Sequence, residues 1–129
     1  MLPDPKLTPG KVAVSRADAR GVSEEMREAV FARYRVPFEN RGAYVIDHLI
    51  PRELGGADAL ENLWPQRINA RPYPARRKQL LAAELTKLIA SGKMTLAHAQ
   101  TEMREDWISS FVTHIGMVYL SPDKVPAGD

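Results

Sequence analysis

The sequence predicts an α+β protein: a short β-hairpin and a helix at its centre, with additional helices packed around them. Three observations carry that reading. The run Tyr44-Val45-Ile46 is aromatic and β-branched, as strands are; Pro51 stops it, Gly55-Gly56 turns the chain, and Asn62-Leu63-Trp64 returns it. Residues 75–90 set Leu81, Leu85 and Leu88 along one helical face, with Leu80 widening the stripe. Two further tracts repeat apolar residues at helical spacing: Met26, Ala29, Val30 and Tyr34 in one, and Leu96, Ala99, Met103 and Trp107 in the other.

In chain order, residues 1–21 hold three prolines and no sustained period, so they read as an extended arm in which Val12-Ala13-Val14 can pair as an edge strand. Ser23 is a good N-cap and Glu24-Glu25 suit the positive end of a helix, which is expected over 23–35 and ended by Pro37. The tract Glu39-Asn40-Arg41-Gly42 is a loop into the first strand. After Trp64-Pro65, residues 66–74 have two more prolines and no period, which makes them a loop. The helix over 75–90 ends at Ser91-Gly92 with a left-handed cap. Thr95 caps a helix to about residue 110, residues 111–120 read as an extended segment or final strand, and 121–129 as a tail. Domain organisation is therefore expected as an arm (1–21), one domain (22–120) and a C-terminal tail (121–129).

At 129 residues with 44% hydrophobic and 26% charged residues, the composition is that of an ordinary globular protein. The absence of cysteine excludes disulfides and cysteine-built zinc sites. No apolar run approaches a membrane span and Met1-Leu2-Pro3-Asp4-Pro5 is no signal peptide, so a soluble protein is expected, cytoplasmic or secreted from a precursor with a leader. The net charge of +2 hides an asymmetry. Residues 63–93 carry seven Lys and Arg against one acid, whereas 1–62 carry nine against ten and 94–129 two against five. A solvated helix face would explain such an excess. Its position just after the hairpin favours a phosphate backbone as the partner. Arg76, Arg77 and Lys78 crowd the first turn of a helix, where positive charge is unfavourable unless an anion is present. Arg71 precedes them in the loop.

The chemistry is concentrated in Asp47-His48. A carboxylate is a hard metal ligand and imidazole exchanges a proton near neutral pH, which together suit metal-assisted hydrolysis. At the end of the first strand the two are expected to face one accessible cleft. His98 and His114 lack such surroundings and read as structural, while Trp64 and Trp107 read as core anchors.

Asp47, His48, Pro51, Gly55, Gly56, Asn62 and Leu63, in that order, resemble the motif of the HNH endonucleases, the ββα-metal nuclease superfamily. The motif spans residues 44 to about 78. Beyond it, Leu7-Thr8-Pro9-Gly10, Ala99-Gln100 and Asp106-Trp107 are similar to a group of small bacterial proteins that carry the motif. The resemblance implies a ββα-metal hairpin-helix core in which Asp47 binds one divalent ion, His48 activates water and Asn62 braces the loop. A third metal position of the superfamily falls at Arg71, which cannot ligate a cation, and Asn69 is the substitute nearby. Where relatives often place an acid after the lysine, Gln79 follows Lys78.

The expected function is metal-dependent hydrolysis of nucleic-acid phosphodiesters with low sequence specificity. The ion would be Mg²⁺, Mn²⁺, Ni²⁺ or Zn²⁺, the partner DNA rather than RNA, and Arg71, Arg76, Arg77 and Lys78 the contacts to phosphate. The alternatives are a degenerate fold of the same type that binds nucleic acid without cutting it, and an interaction module in which Asp47 and His48 merely pair.

Overall fold

The two strands of the hairpin have five residues each and no tight turn joins them; a side-chain hub holds the connection instead. In the computed structural model, which describes residues 3–15, 21–68 and 75–116, β1 (Tyr44–His48) pairs antiparallel with β2 (Leu63–Arg67). The partners are Tyr44 with Arg67, Val45 with Gln66, Ile46 with Pro65, Asp47 with Trp64 and His48 with Leu63. The connection between the strands is long and carries two 3₁₀ turns, Arg52–Leu54 and Leu60–Asn62. Asn62, fully buried, ties it together. Its amide accepts from Ile50 N–H at 3.0 Å and donates to the carbonyls of Ile50 and Ala57, each at 3.0 Å. Lys11 N–H approaches the same Oδ1 at 3.4 Å.

Compactness divides the chain into two units, residues 1–68 and 69–129, inside the segment expected as one domain. The arm belongs to the first unit. Gly10 N–H donates to Glu61 O, Ala57 N–H to Lys11 O and Ala13 N–H to Gly55 O, and Val12 bridges Gly56 as an isolated antiparallel pair. The expected edge pairing of Val12-Ala13-Val14 is thus reduced to one bridge, since only a few residues of the loop run straight enough to pair. A relay of donors anchors the arm further in: Asp4 N–H to Tyr34 Oη, Tyr34 Oη to Thr8 Oγ1, and Thr8 Oγ1 to Leu63 O. Helix α1 (Glu24–Arg33) starts at the expected cap, with Ser23 Oγ accepting from Met26 N–H. It ends two residues before the expected boundary, where Arg35 takes a left-handed conformation ahead of Pro37. The tract Glu39-Asn40-Arg41-Gly42, expected as a loop, lies in a 3₁₀ turn, Phe38–Ala43. Val30, Phe31, Val36, Leu49, Ile50, Leu54, Leu63 and Trp64 are the buried apolar residues that α1, the loop and the strands contribute.

The second unit is helical. Helix α2 (Ala75–Ala90) has the predicted bounds, and Gly92 follows it at φ 76°, the expected left-handed cap. It packs on α3 (Leu96–His114), which Thr95 caps by accepting from His98 N–H. The expected extended segment from residue 111 is corrected: Phe111 is buried in the last turns of α3, and residues 117–120 lie outside the described residues.

Asp106 interrupts α3 at φ −162°, ψ 78° and recaps the turns beyond it, accepting from Ser109 N–H at 3.1 Å and Ser109 Oγ at 2.7 Å. Glu102 clamps this break. Its Oε1 accepts from Ser110 Oγ and from His114 Nε2, and His98 Nε2 lies 2.7 Å from Oε2. In a straight helix, residues eight and twelve positions on would be about 12 and 18 Å along the axis. The carboxylate reaches both because the helix bends at Asp106. Burial pushes the Glu102 carboxyl up, but hydrogen bonds from Ser110 and His114 outweigh it and hold the pKa below the usual 4.5. A depressed carboxylate pKa stabilises the fold above the ordinary value and ceases to do so as pH falls through the depressed one. Glu102→Gln is therefore expected to lower the melting temperature at pH 7 and to melt like the parent in strong acid. An equal deficit at both pH values would show that the carboxylate charge is irrelevant to the clamp. Among the described residues, no helix is long and apolar enough to cross a membrane.

Candidate active site

The end of β1 carries Asp47 and His48, and the pleat divides them, because successive strand residues point to opposite faces. Both side chains are partly exposed at the strand's end, and each takes its own partner. Asp47 stands beside its cross-strand partner Trp64, whose Nε1–H donates to Oδ2 at 3.0 Å and fixes the carboxylate. His48 reaches the other way, to a residue that sequence reasoning missed. Its Nε2 lies 2.7 Å from Oδ1 of Asp58 in the connecting loop.

The Asp58 side chain is sheltered from solvent and meets three donors. Its side chain is 2% exposed, against 17% for His48. Gly21 N–H donates to Oδ2 at 2.6 Å, and Arg52 Nε lies 3.3 Å from Oδ1, its side chain half exposed. Burial pushes the Asp58 carboxyl up. The bonds from His48 and Gly21 and the charge of Arg52 prevail, and its pKa falls below the usual 3.8. An ionised carboxylate only accepts hydrogen bonds, so Nε2 of His48 is the donor. In the neutral ring the lone pair then lies on Nδ1, the nitrogen able to take a proton.

Local sequence brings these groups together through two glycines and Asn62. Gly55 turns at φ 85°, in the left-handed region that glycine adopts without penalty. Gly56 passes so close to Ile50 that an added Cβ would lie 1.6 Å from Ile50 O. Asn62 then holds Ile50 and Ala57 on either side, and Asp58 follows Ala57 directly. The only sequence signal for Asp58 was its place in this tethered segment, ten residues after His48.

The remaining expected site residues fare differently. Asn62 has the bracing position expected of it. Asn69 and Arg71 lie outside the described residues. Arg76 is exposed, but Arg77 and Lys78 are buried, at 0% and 3% exposure, so their expected place on a phosphate-facing surface is corrected. The cause is the helical period. Counted back one turn from Leu81, Ala82 and Leu85, the buried face of α2 includes positions 77 and 78.

As a metal ligand Asp47 fits in kind: an oriented carboxylate oxygen is what Mg²⁺ or Mn²⁺ takes. Among the described residues, no group of three or more His, Asp or Glu is arranged to hold an ion, so water and phosphate oxygens would complete the shell. No protein-family model, curated protein or solved structure matches the chain.

Proposed function

We propose that this chain hydrolyses nucleic-acid phosphodiesters as an HNH-type, ββα-metal endonuclease, with His48 as general base. The observation that carries the reading is the bond between His48 Nε2 and the buried Asp58 anion at the end of β1. Such a carboxylate holds the imidazole in one tautomer and stabilises the imidazolium formed when a proton is taken.

In the proposed reaction a phosphodiester lies across the end of β1, with Asp47 on one side and His48 on the other. His48 accepts a proton from water at Nδ1, and the resulting hydroxide attacks phosphorus while the oxygen–phosphorus bond to the leaving strand breaks. Asp58 keeps Nε2 protonated throughout. Asn62 keeps the loop, and hence Asp58, at its distance. A divalent ion would be held by Asp47, with Asn69 as the second protein ligand that the motif suggests, and would supply charge neutralisation on the phosphate and the departing oxygen. Low sequence specificity follows from the absence, among the described residues, of a helix resembling a base-reading element.

Incubating supercoiled plasmid with the protein and Mg²⁺, Mn²⁺, Ni²⁺ or Zn²⁺ tests the reading. Nicking is expected with at least one ion and none in EDTA. Intact plasmid under every ion, with salt-dependent DNA binding in EDTA, would replace hydrolysis by binding alone.

A further inference from the structure

The nucleic-acid partner needs a surface, and the basic start of α2 supplies little of one, with two of its three cations buried. The first unit carries a different cluster. Arg27 Cζ lies 5.1 Å from the centroid of Phe31, and Arg41 Cζ lies 5.3 Å from Phe31 and 5.6 Å from Phe38. The Phe31 ring meets Tyr44 edge-on at 6.4 Å, and Arg67 Cζ lies 5.7 Å from Tyr44. Three arginines and the rings of Phe38 and Tyr44 thus gather around the buried Phe31, in one connected patch drawn from α1, the 3₁₀ turn at 38–43 and the open end of the hairpin.

Two properties set it apart from a packed core. Phe38 is 80% exposed, and Arg67 is exposed as well. Among the described residues, no carboxylate forms an ion pair with Arg27, Arg41 or Arg67, although Glu24, Glu28 and Glu39 lie nearby in the chain. Arg41 donates its Nε–H to Val36 O at 3.4 Å; a guanidinium lying on a ring keeps its terminal N–H donors at the ring's edge, and phosphate recognition uses those donors. An exposed ring oriented by an arginine is a stacking platform for a base.

We infer that this patch binds single-stranded nucleic acid, a base stacking on Phe38 and the adjoining phosphates meeting Arg41, Arg67 and Arg27. The inference rests on the nuclease reading and narrows its substrate class to stretches with unpaired bases, such as those negative supercoiling opens in a plasmid, because a closed duplex offers no free base face to Phe38. Backbone charge and ring stacking carry no sequence code, in keeping with low specificity.

The test uses the full chain in EDTA, with a fluorescent single-stranded oligothymidylate and a duplex of equal length, titrated at several salt concentrations. The single strand is expected to bind more tightly. Phe38→Ala is expected to weaken it by about tenfold or more with little change of salt slope, as loss of one stacked base does. Phe38→Trp is expected to keep affinity. Arg41→Gln with Arg67→Gln is expected to flatten the slope by roughly 1.4 units, about 0.7 per phosphate contact on a single strand. Lys93→Gln, an exposed cation beyond α2, serves as the comparison and is expected to leave the slope unchanged. Phe38 and Arg67 are exposed, so folding should survive their replacement, and circular dichroism checks it there and for the half-buried Arg41, for which the single Arg67→Gln variant, with a slope change of about 0.7, is the fallback. Single-strand binding unchanged in Phe38→Ala and in the double arginine variant, or equal affinity for duplex, overturns the inference while plasmid nicking keeps the nuclease reading. If the parent chain neither binds nor nicks, both fall together.

Discussion

Gly56→Ala is expected to destabilise the first unit by about 3–5 kcal/mol, at the severe end for a point substitution. The added methyl would lie 1.6 Å from Ile50 O, 2.6 Å from Ile50 C and 2.9 Å from Asn62 Nδ2. Two of those neighbours are backbone, so no side-chain rotation relieves the clash and the loop itself must move. Movement there breaks the bonds of Asn62 to Ile50 and Ala57, leaving buried polar groups that cost about 1–3 kcal/mol apiece when unpaired. With total stabilities of about 5–15 kcal/mol for proteins of this kind, much of the margin is consumed. Gly42→Ala is the control, because nothing lies within 4 Å of its Cβ position. It should change stability by less than about 0.5 kcal/mol. Urea denaturation followed by circular dichroism measures both. Equal midpoints for Gly56→Ala and the parent would show that the loop yields at Gly56 without cost.

His48→Ala is expected to slow nucleic-acid cleavage by about 10²–10⁴-fold, the usual contribution of a general base. Strand binding should change little, because the arginine and aromatic patch is built from other residues. Asp58→Asn is the more discriminating variant. It keeps size and most hydrogen bonds but removes the charge and allows the amide to donate, so His48 can turn to the other tautomer. A loss of about 10–100-fold is the scale typical of an outer partner that orients a reactive group. The Asp58 pKa is depressed, so its partnership with His48 is in place at neutral pH and is lost only as pH falls through the lowered value. Any acidic loss of activity above that range thus belongs to another group. If His48→Ala cuts as fast as the parent, the general-base role is wrong. If Asp58→Asn alone is silent, Asp58 is structural and His48 works without it.

Much of the secondary structure was legible because its causes are local. Ser23 and Thr95 cap helices by bonds to residues three positions on, and Gly92 ends α2 through its own backbone freedom. The strand at Tyr44 was readable from residue type, and the bracing place of Asn62 from the resemblance of its motif to that of the HNH endonucleases. The burial of Arg77 and Lys78 was legible in principle, because the leucine stripe runs back through them; the charges drew attention away from the period. Other features had no local cause. Phe111–His114 look extended in composition, yet they continue as helix because Asp106 recaps the chain and Glu102 holds Ser110 and His114. Asp58 is one of ten acids in residues 1–62, and nothing in its neighbours marks it. Its burial against His48 follows from the approach of Gly56 to Ile50 and the bonds of Asn62 across the loop. Caps, turns and periods act within a few residues and can be read along the chain. Partners brought together by loop closure depend on where the backbone returns in space, which only the folded chain decides.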